Sequence, residues 1–277
     1  MNIQAVSSIQ NGRIREIVAL EKPRERKNRG VFTIEGIRET ALAVAGGYRI
    51  QTLVVCEDIL PGWQQHPAAS VAGSILTVTK EVFAKVAVRE DSGGLVAVAA
   101  MKPHTLAQLR TGSSPLLLVL ESVEKPGNLG AILRTADAAG VDAVIICDPQ
   151  TDLYNPNAIR SGIGCLFTVP VAVSTSAEAI DWLKSNKIRI WATHLAGSVP
   201  YHTIDYREPS AIVMGTEATG LSPQWVQASD AAIIIPMRGK IDSMNVSTAA
   251  AVVVFEAVRQ RGIGGSGSRR EQLAGPA

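Results

Sequence analysis

The second half of this chain alternates continuous apolar runs with helical patterns, and that alternation constrains the fold more than any other feature. Leu116–Leu120, Ala143–Cys147, Phe167–Val173, Ile188–His194, Ala211–Gly215 and Ala231–Pro236 read as strands. Leu129–Ala139, a short stretch near Asn157–Ser161, and Ala177–Asn186 read as the helices between them, and Ser247–Arg261 as a closing helix. A strand that is apolar at successive positions is buried on both faces, which is the mark of a mostly parallel sheet covered by helices. In such a sheet, ligands bind beyond the carboxyl ends of the strands, so the chemistry belongs in the loops that leave those ends.

The first half predicts a smaller α/β unit. Val31–Ile34, Ile50–Val55, Ser74–Val78 and Leu95–Ala100 read as strands, and Glu35–Ala45 and Lys80–Val86 as helices, the former stopped by Gly46 and Gly47. The polar stretch Thr105–Pro115, with Gly112, Ser113 and Ser114, reads as the join. This predicts one domain over residues 1–105, a linker over 106–114, a second domain over 115–262 and a disordered tail over 263–277, where there is almost nothing to bury.

Charge and cysteine usage exclude several classes. The formal net charge is +2, so any nucleic-acid surface must be local. Residues 1–30 supply a candidate: seven Lys and Arg stand against three Glu. As a structural feature this is a solvated helix face and a turn; as a functional one it is a phosphate-binding surface. The three scattered cysteines form neither a disulfide framework nor a zinc motif, and they suit a reducing cytoplasm. The longest apolar run, Ala249–Phe255, is too short to span a membrane.

Three segments at predicted strand ends carry more polar residues than connectors need. In the first, Glu121–Asp137, Asn128 fits a helix N-cap and Gly127 and Gly130 a tight strand-to-helix turn, while Arg134 interrupts an otherwise apolar helix and invites an anionic partner. The second, Ile212–Pro223, places Gly215 and Gly220 around Glu217, with Ser222 as a helix cap and Pro223 at the first helical position. The third, Ile235–Ala251, runs through Arg238, Lys240, Asp242, Ser243 and Asn245 into an Ala-rich helix capped by Asn245 or Ser247. None of these three segments contains GxGxxG or GxxxxGK[ST], which argues against a dehydrogenase or a P-loop site at these strand ends.

Taken together, these segments resemble the SpoU, or TrmH-like, branch of the knotted SPOUT methyltransferases. Asn128, Gly130 and Arg134 match its first motif, Gly215, Glu217, Gly220 and Leu221 its second, and Ile235 to Ser247 its third, with Met244 where Leu is usual. That exchange conserves volume and hydrophobicity. The basic run followed by Phe32–Glu39 resembles the L30e-like RNA-binding domain often fused ahead of this catalytic domain.

The resemblance implies a C-terminal trefoil knot, a homodimer, and S-adenosylmethionine-dependent methylation of a ribose 2′-hydroxyl without metal. It favours 23S ribosomal RNA over tRNA; a non-catalytic RNA-binding or ribosome-assembly protein on the same fold is the reading from another class. Gly215, Ile235, Met237 and Met244 would hold the cofactor largely through main chain, with Thr193 as a further candidate. Glu217, Ser243 and Asn245 would order the loops or the substrate. Arg134, with Asn128 beside it, would carry the chemistry, either as a base helped by an RNA phosphate or by stabilising the developing alkoxide. Arg24, Arg26, Lys27, Arg29, Arg38 and Arg160 are the candidates for RNA contacts.

Overall fold

The computed structural model describes residues 2–88 and 92–262. The tail expected over 263–277 lies outside the described residues. Among the described residues, twelve strands form two sheets. The first holds β1 (Asn2–Val6), β2 (Val31–Glu35), β3 (Ile50–Val55), β4 (Ser74–Val78) and β5 (Leu95–Ala100) in the order β1-β4-β3-β5-β2. The second holds β6 (Leu116–Glu121), β7 (Ala143–Cys147), β8 (Val171–Ser174), β9 (Arg189–Thr193), β10 (Val199–Pro200), β11 (Ser210–Met214) and β12 (Ala231–Ile234), in the order β10-β12-β9-β11-β6-β7-β8. The helices are α1 (Gly12–Ala19), α2 (Pro23–Arg29), α3 (Ile37–Ala45), α4 (Pro67–Val71), α5 (Lys80–Val86), α6 (Pro126–Ala139), α7 (Pro156–Ser161), α8 (Ser176–Ser185), α9 (Pro223–Ala228) and α10 (Val246–Arg261). No helix of the described residues is long and apolar enough to cross a membrane.

The chain divides into two compact units. One contains the described residues up to Thr105 together with Val123–Asp137 and Pro149–Val171; the other contains Leu106–Ser122, Ala138–Asp148 and the described residues from Ala172 onward. Side chains explain why 149–171 fold with the first half. The Phe32 ring lies 4.2 Å from that of Tyr154, and Tyr48 meets Phe167 edge-on at 5.0 Å. Gly46 sits so close to the Phe167 carbonyl that a Cβ there would lie 2.5 Å from the oxygen, which explains a glycine at that helix end.

In the first unit, β1, β4 and β3 are parallel, while β5 runs antiparallel to both β3 and β2. One face of this sheet buries Val54, Leu76, Val96 and Val98 against Ile14, Ile17 and Leu20 of the α1 region and Val82, Phe83 and Val86 of α5. The α2 segment is a short helix opened by Pro23 and closed by Gly30 in the left-handed region at φ 62°.

In the second unit the pairs from β10 through β12, β9, β11 and β6 to β7 are all parallel. Leu117, Val119, Ile145, Ile190, Ala211 and Val213 pack with α8 and α9 in one cluster. The intervening Leu118, Leu120, Ile146, Ile212 and Met214 are buried as well, so both faces are covered, as the continuous apolar runs require. α10 packs against β11, and its last residue, Arg261, donates to the carbonyls of Ser114, Pro115, Tyr206 and Glu208 at 2.7–3.2 Å. From β6 the chain steps outward through β7 to β8, then returns past β6 to build β9 on the other side of β11. That reversal is a topological switch point, where a parallel sheet opens a crevice at its carboxyl edge.

Candidate active site

Loops leave the carboxyl ends of β9, β11 and β12 side by side, because these parallel strands are neighbours. The β11 loop is the most constrained. Thr216 and Gly220 exchange backbone hydrogen bonds at 3.1 Å, and the Thr216 hydroxyl accepts from Thr219 N at 3.0 Å. Gly220 takes φ 69°, and a Cβ on Gly215 would lie 2.3 Å from the Gly220 carbonyl carbon. The two glycines are therefore required by a loop that folds back on itself, with Glu217 to Gly220 on its exposed tip.

Asn245 Nδ2 donates to Glu217 Oε1 at 2.8 Å, which ties the β11 loop to the loop after β12. Asn245 Oδ1 accepts from Ser247 N at 2.9 Å and from its hydroxyl at 2.6 Å, so Asn245 is the N-cap of α10. Residues 235–244 belong to no helix or strand, and Ile235, Met237 and Met244 are half-buried among them. Ser243 is exposed. Thr193 donates its hydroxyl to the Val213 carbonyl at 2.8 Å, tying the ends of β9 and β11 together. Gly215, Ile235, Met237, Met244, Thr193, Glu217, Ser243 and Asn245 thus all lie in the second unit, in or beside these loops.

This set fits a nucleoside-bearing cofactor with a sulfonium. Half-buried thioether and aliphatic side chains offer an apolar slot, Leu195 and Ile241 are 61 % and 70 % exposed beside it, and peptide groups outside any ladder can meet the edges of an adenine.

One capping expectation is overturned, and another holds in position without its bond. α6 begins at Pro126, so Asn128 lies inside the helix rather than at its cap, and Gly130 is helical rather than part of a turn. Gly130 serves a close crossing with α7: a Cβ there would lie 2.0 Å from Ser161 Oγ and 2.3 Å from the Ala158 carbonyl oxygen. Ser222 stands at the N-cap position of α9 but makes no capping bond; its hydroxyl donates instead to Glu121 Oε1 at 2.6 Å. Pro223 does open the helix.

Arg134 and Asn128 belong to the first unit, where Arg134 is exposed on α6. Burial pushes the Cys165 thiol up to about 11, with Asp137 adding to the rise and Arg38 and Arg134 opposing it. Arg38 and Arg134 thus both act on the surroundings of Cys165. Arg38, Arg24, Lys27 and Arg29 are exposed, Arg29 pairing with Glu16 and Glu25 at 3.4 Å each. Arg160 is half-buried and donates to Asn157.

Arg26 does not belong with the RNA-contact candidates. It is 0 % exposed; Nη1 donates to the carbonyls of Leu20 and Glu21 at 2.8 Å, and Nε donates to Asp152 at 2.7 Å. A guanidinium enclosed in this way cannot reach a phosphate in solution.

A doubly covered parallel sheet whose β11 and β12 loops are tied together beside its switch point suits a group-transfer enzyme that handles a nucleotide-like cofactor. The SpoU rRNA methylase family matches residues 115–255, and the MRM3-like substrate binding domain matches residues 11–97. The chain belongs to the SpoU rRNA methylase family.

It is 29 % identical to the 23S rRNA (uridine(2479)-2′-O)-methyltransferase of Streptomyces viridochromogenes, over 91 % of each chain. It is also 29 % identical to the 23S rRNA (guanosine(2553)-2′-O)-methyltransferase RlmP of Bacillus subtilis, over 91 % of this chain and 98 % of that one. Among solved structures, the AdoMet-bound rRNA methyltransferase from Sinorhizobium meliloti superposes with a TM-score of 0.87 at 32 % identity, covering 93 % of this chain and 98 % of that one.

Proposed function

We propose that this chain transfers the methyl group of S-adenosylmethionine to a ribose 2′-hydroxyl of 23S ribosomal RNA. The observation that carries this reading is the hydrogen bond from Asn245 to Glu217, which joins two motif loops at the carboxyl edge of the sheet into one frame. The similarity to 23S rRNA methyltransferases over nine-tenths of the chain supports the substrate class. The cofactor supplies an electrophilic methyl group when bound. Gly215, Ile235, Met237 and Met244 hold it by peptide groups and apolar contact, with Thr193 fixing the adjoining strand end. Glu217, Ser243 and Asn245 order the loops around it.

Arg134 carries the chemistry, with Asn128 on the same helix. A guanidinium binds phosphate bidentately and offsets the charge that develops on the ribose oxygen. Residues 1–105 act as the RNA-gripping domain, 106–114 as a linker and 115–262 as the methyltransferase domain with a C-terminal trefoil knot. Arg24, Lys27, Arg29, Arg38 and Arg160 reach RNA phosphates. The protein works as a homodimer in the cytoplasm: α10 leaves Phe255 47 % exposed with Ala251, Val252 and Val258 half-buried, a surface that a second copy would cover, and its free, buried cysteines suit a reducing compartment.

The test is transfer of tritiated methyl from S-adenosylmethionine into unmodified 23S rRNA, 16S rRNA and bulk tRNA, each alone. Alkali-resistant label at one linkage of 23S rRNA is expected. Arg134→Ala should lower the rate by about a hundredfold or more while cofactor affinity stays near wild type. Label confined to tRNA would overturn the substrate assignment, and equal loss of rate and cofactor affinity would overturn the role of Arg134.

A further inference from the structure

Glu121, the last residue of β6, is 5 % exposed, and its carboxylate is held by the hydroxyl and the peptide N–H of Ser222. Oε2 accepts from Ser222 N at 2.8 Å, and Oε1 accepts from Ser222 Oγ at 2.6 Å. Ser176 Oγ lies 3.3 Å from the same Oε1. Ser176 is in turn fixed: it accepts from Trp225 Nε1 at 2.9 Å and donates to Asp148 Oδ2 at 2.6 Å. Trp225 is wholly buried and Asp148 follows the end of β7. The carboxylate is thereby set in a rigid frame built from β6, β7, α8 and α9.

Burying a carboxylate is costly, and a serine at an N-cap position ordinarily bonds its own helix. Here both preferences are given up at once. What the pair secures is the exit of the β11 loop. That loop is held at its entry by β11, whose Met214 pairs with Leu120 of β6, and at its exit by Ser222, one residue beyond Leu221. Between these points residues 217–220 are exposed. Two charge-assisted bonds from one buried group to one loop residue fix position more strictly than a neutral cap would.

We infer that Glu121 is a positioning residue for the cofactor: through the Ser222 hydroxyl and peptide N–H it holds the Gly215–Leu221 loop in its cofactor-binding shape. This rests on the reading that the same loop contacts S-adenosylmethionine.

The experiment is calorimetric titration of the full chain with S-adenosylmethionine, alongside steady-state methyl transfer and melting. Ser222→Ala and Glu121→Gln should each weaken cofactor binding by about tenfold or more, raising KM for the cofactor while kcat at saturation changes little. Ser222→Thr, which keeps the hydroxyl, should restore binding to within about twofold of wild type. Combining Ser222→Ala with Glu121→Gln should cost less than the two losses added, because both remove one interaction.

Wild-type cofactor affinity in Ser222→Ala would overturn the inference. So would a lowered melting temperature with unchanged affinity, since that marks a packing role alone. If Glu121→Gln does not fold, the Ser222→Ala and Ser222→Thr pair decides by itself. Gly215→Ala separates the underlying reading. If it leaves cofactor binding intact, the loop is not the cofactor site. If it abolishes binding while Ser222→Ala does not, only the role of Glu121 falls.

Discussion

A glycine inside a helix normally costs stability, so Gly130 invites replacement by alanine for a gain of about 1 kcal/mol. The neighbouring chain reverses that sign. The added Cβ would lie 2.0 Å from Ser161 Oγ, 2.3 Å from the Ala158 carbonyl oxygen and 2.6 Å from Gly162 N, and two of those three contacts are backbone. Ser161 could rotate away, but α7 would have to shift as a whole. Overpacking of this kind costs about 1–3 kcal/mol, which outweighs the propensity gain. Gly130→Ala should therefore lower the urea midpoint, and a raised midpoint would show that α7 gives way easily. The sequence marked Gly130 as special but assigned it to a turn. A motif spacing says that a glycine is needed without saying whether the reason is a dihedral angle or a neighbour, and here it is the neighbour. Asn128 shows the same ambiguity: an asparagine after Pro-Gly suits a cap, but the helix begins at Pro126 and takes Asn128 in.

At the scale of single elements, α2 separates charge from function. Its basic residues look equivalent in sequence, but the helix has two faces. Lys27 and Arg29 are exposed while Arg26 is enclosed, with its Nη2 2.6 Å from Asp152. Arg26→Met should act on stability: removing one member of a buried pair costs about 3–5 kcal/mol, at the lower end here because Asp152 is 25 % exposed. The salt dependence of RNA binding should keep its slope in the folded variant. Lys27→Ala should do the opposite, leaving the melting temperature nearly unchanged and reducing the salt slope by about one. A reduced slope in Arg26→Met would return that residue to the RNA surface. Elements were legible wherever period and punctuation agreed, as in β6, β7 and α8. β1 was not, because it is short and four of its five residues are exposed, so the brief alternation of Ile3 and Ala5 with Asn2 and Gln4 marks no buried face. β8 begins at Val171 rather than Phe167, because Cys165–Phe167 close into a 3-10 turn before Pro170, which lacks a donor. Glu121 was missed as a working residue because a lone acid ending an apolar strand carries no local signal; its partner Ser222 is 101 residues away.

At the scale of the whole molecule, the sequence disclosed the α/β alternation and the loops that hold the second and third motifs, because strand alternation and strand-end chemistry are local properties. It did not disclose that residues 123–137 and 149–171 group with the first half, because that depends on side chains far apart in sequence. His104 is central to that packing. Its Nε2 lies 2.8 Å from the Tyr154 hydroxyl and its Nδ1 lies 3.1 Å from the Val171 carbonyl. Burial lowers its pKa below the ordinary 6.5, and the nearby Lys102 pushes the same way against the raising effect of the Val171 carbonyl. The imidazole is therefore neutral in the fold over a range where the unfolded chain binds a proton. Below about pH 6.5 the unfolded state takes up that proton first, so stability is full above this value and falls as pH drops toward the folded pKa. Urea midpoints measured from about pH 7.5 down to about pH 5 should fall, and His104→Gln, which cannot titrate, should flatten that decline. The variant should be less stable at neutral pH, where it loses shape complementarity with Tyr154, yet less sensitive to acid. A decline of unchanged steepness would place the acid-sensitive group elsewhere and leave His104 with a packing role alone.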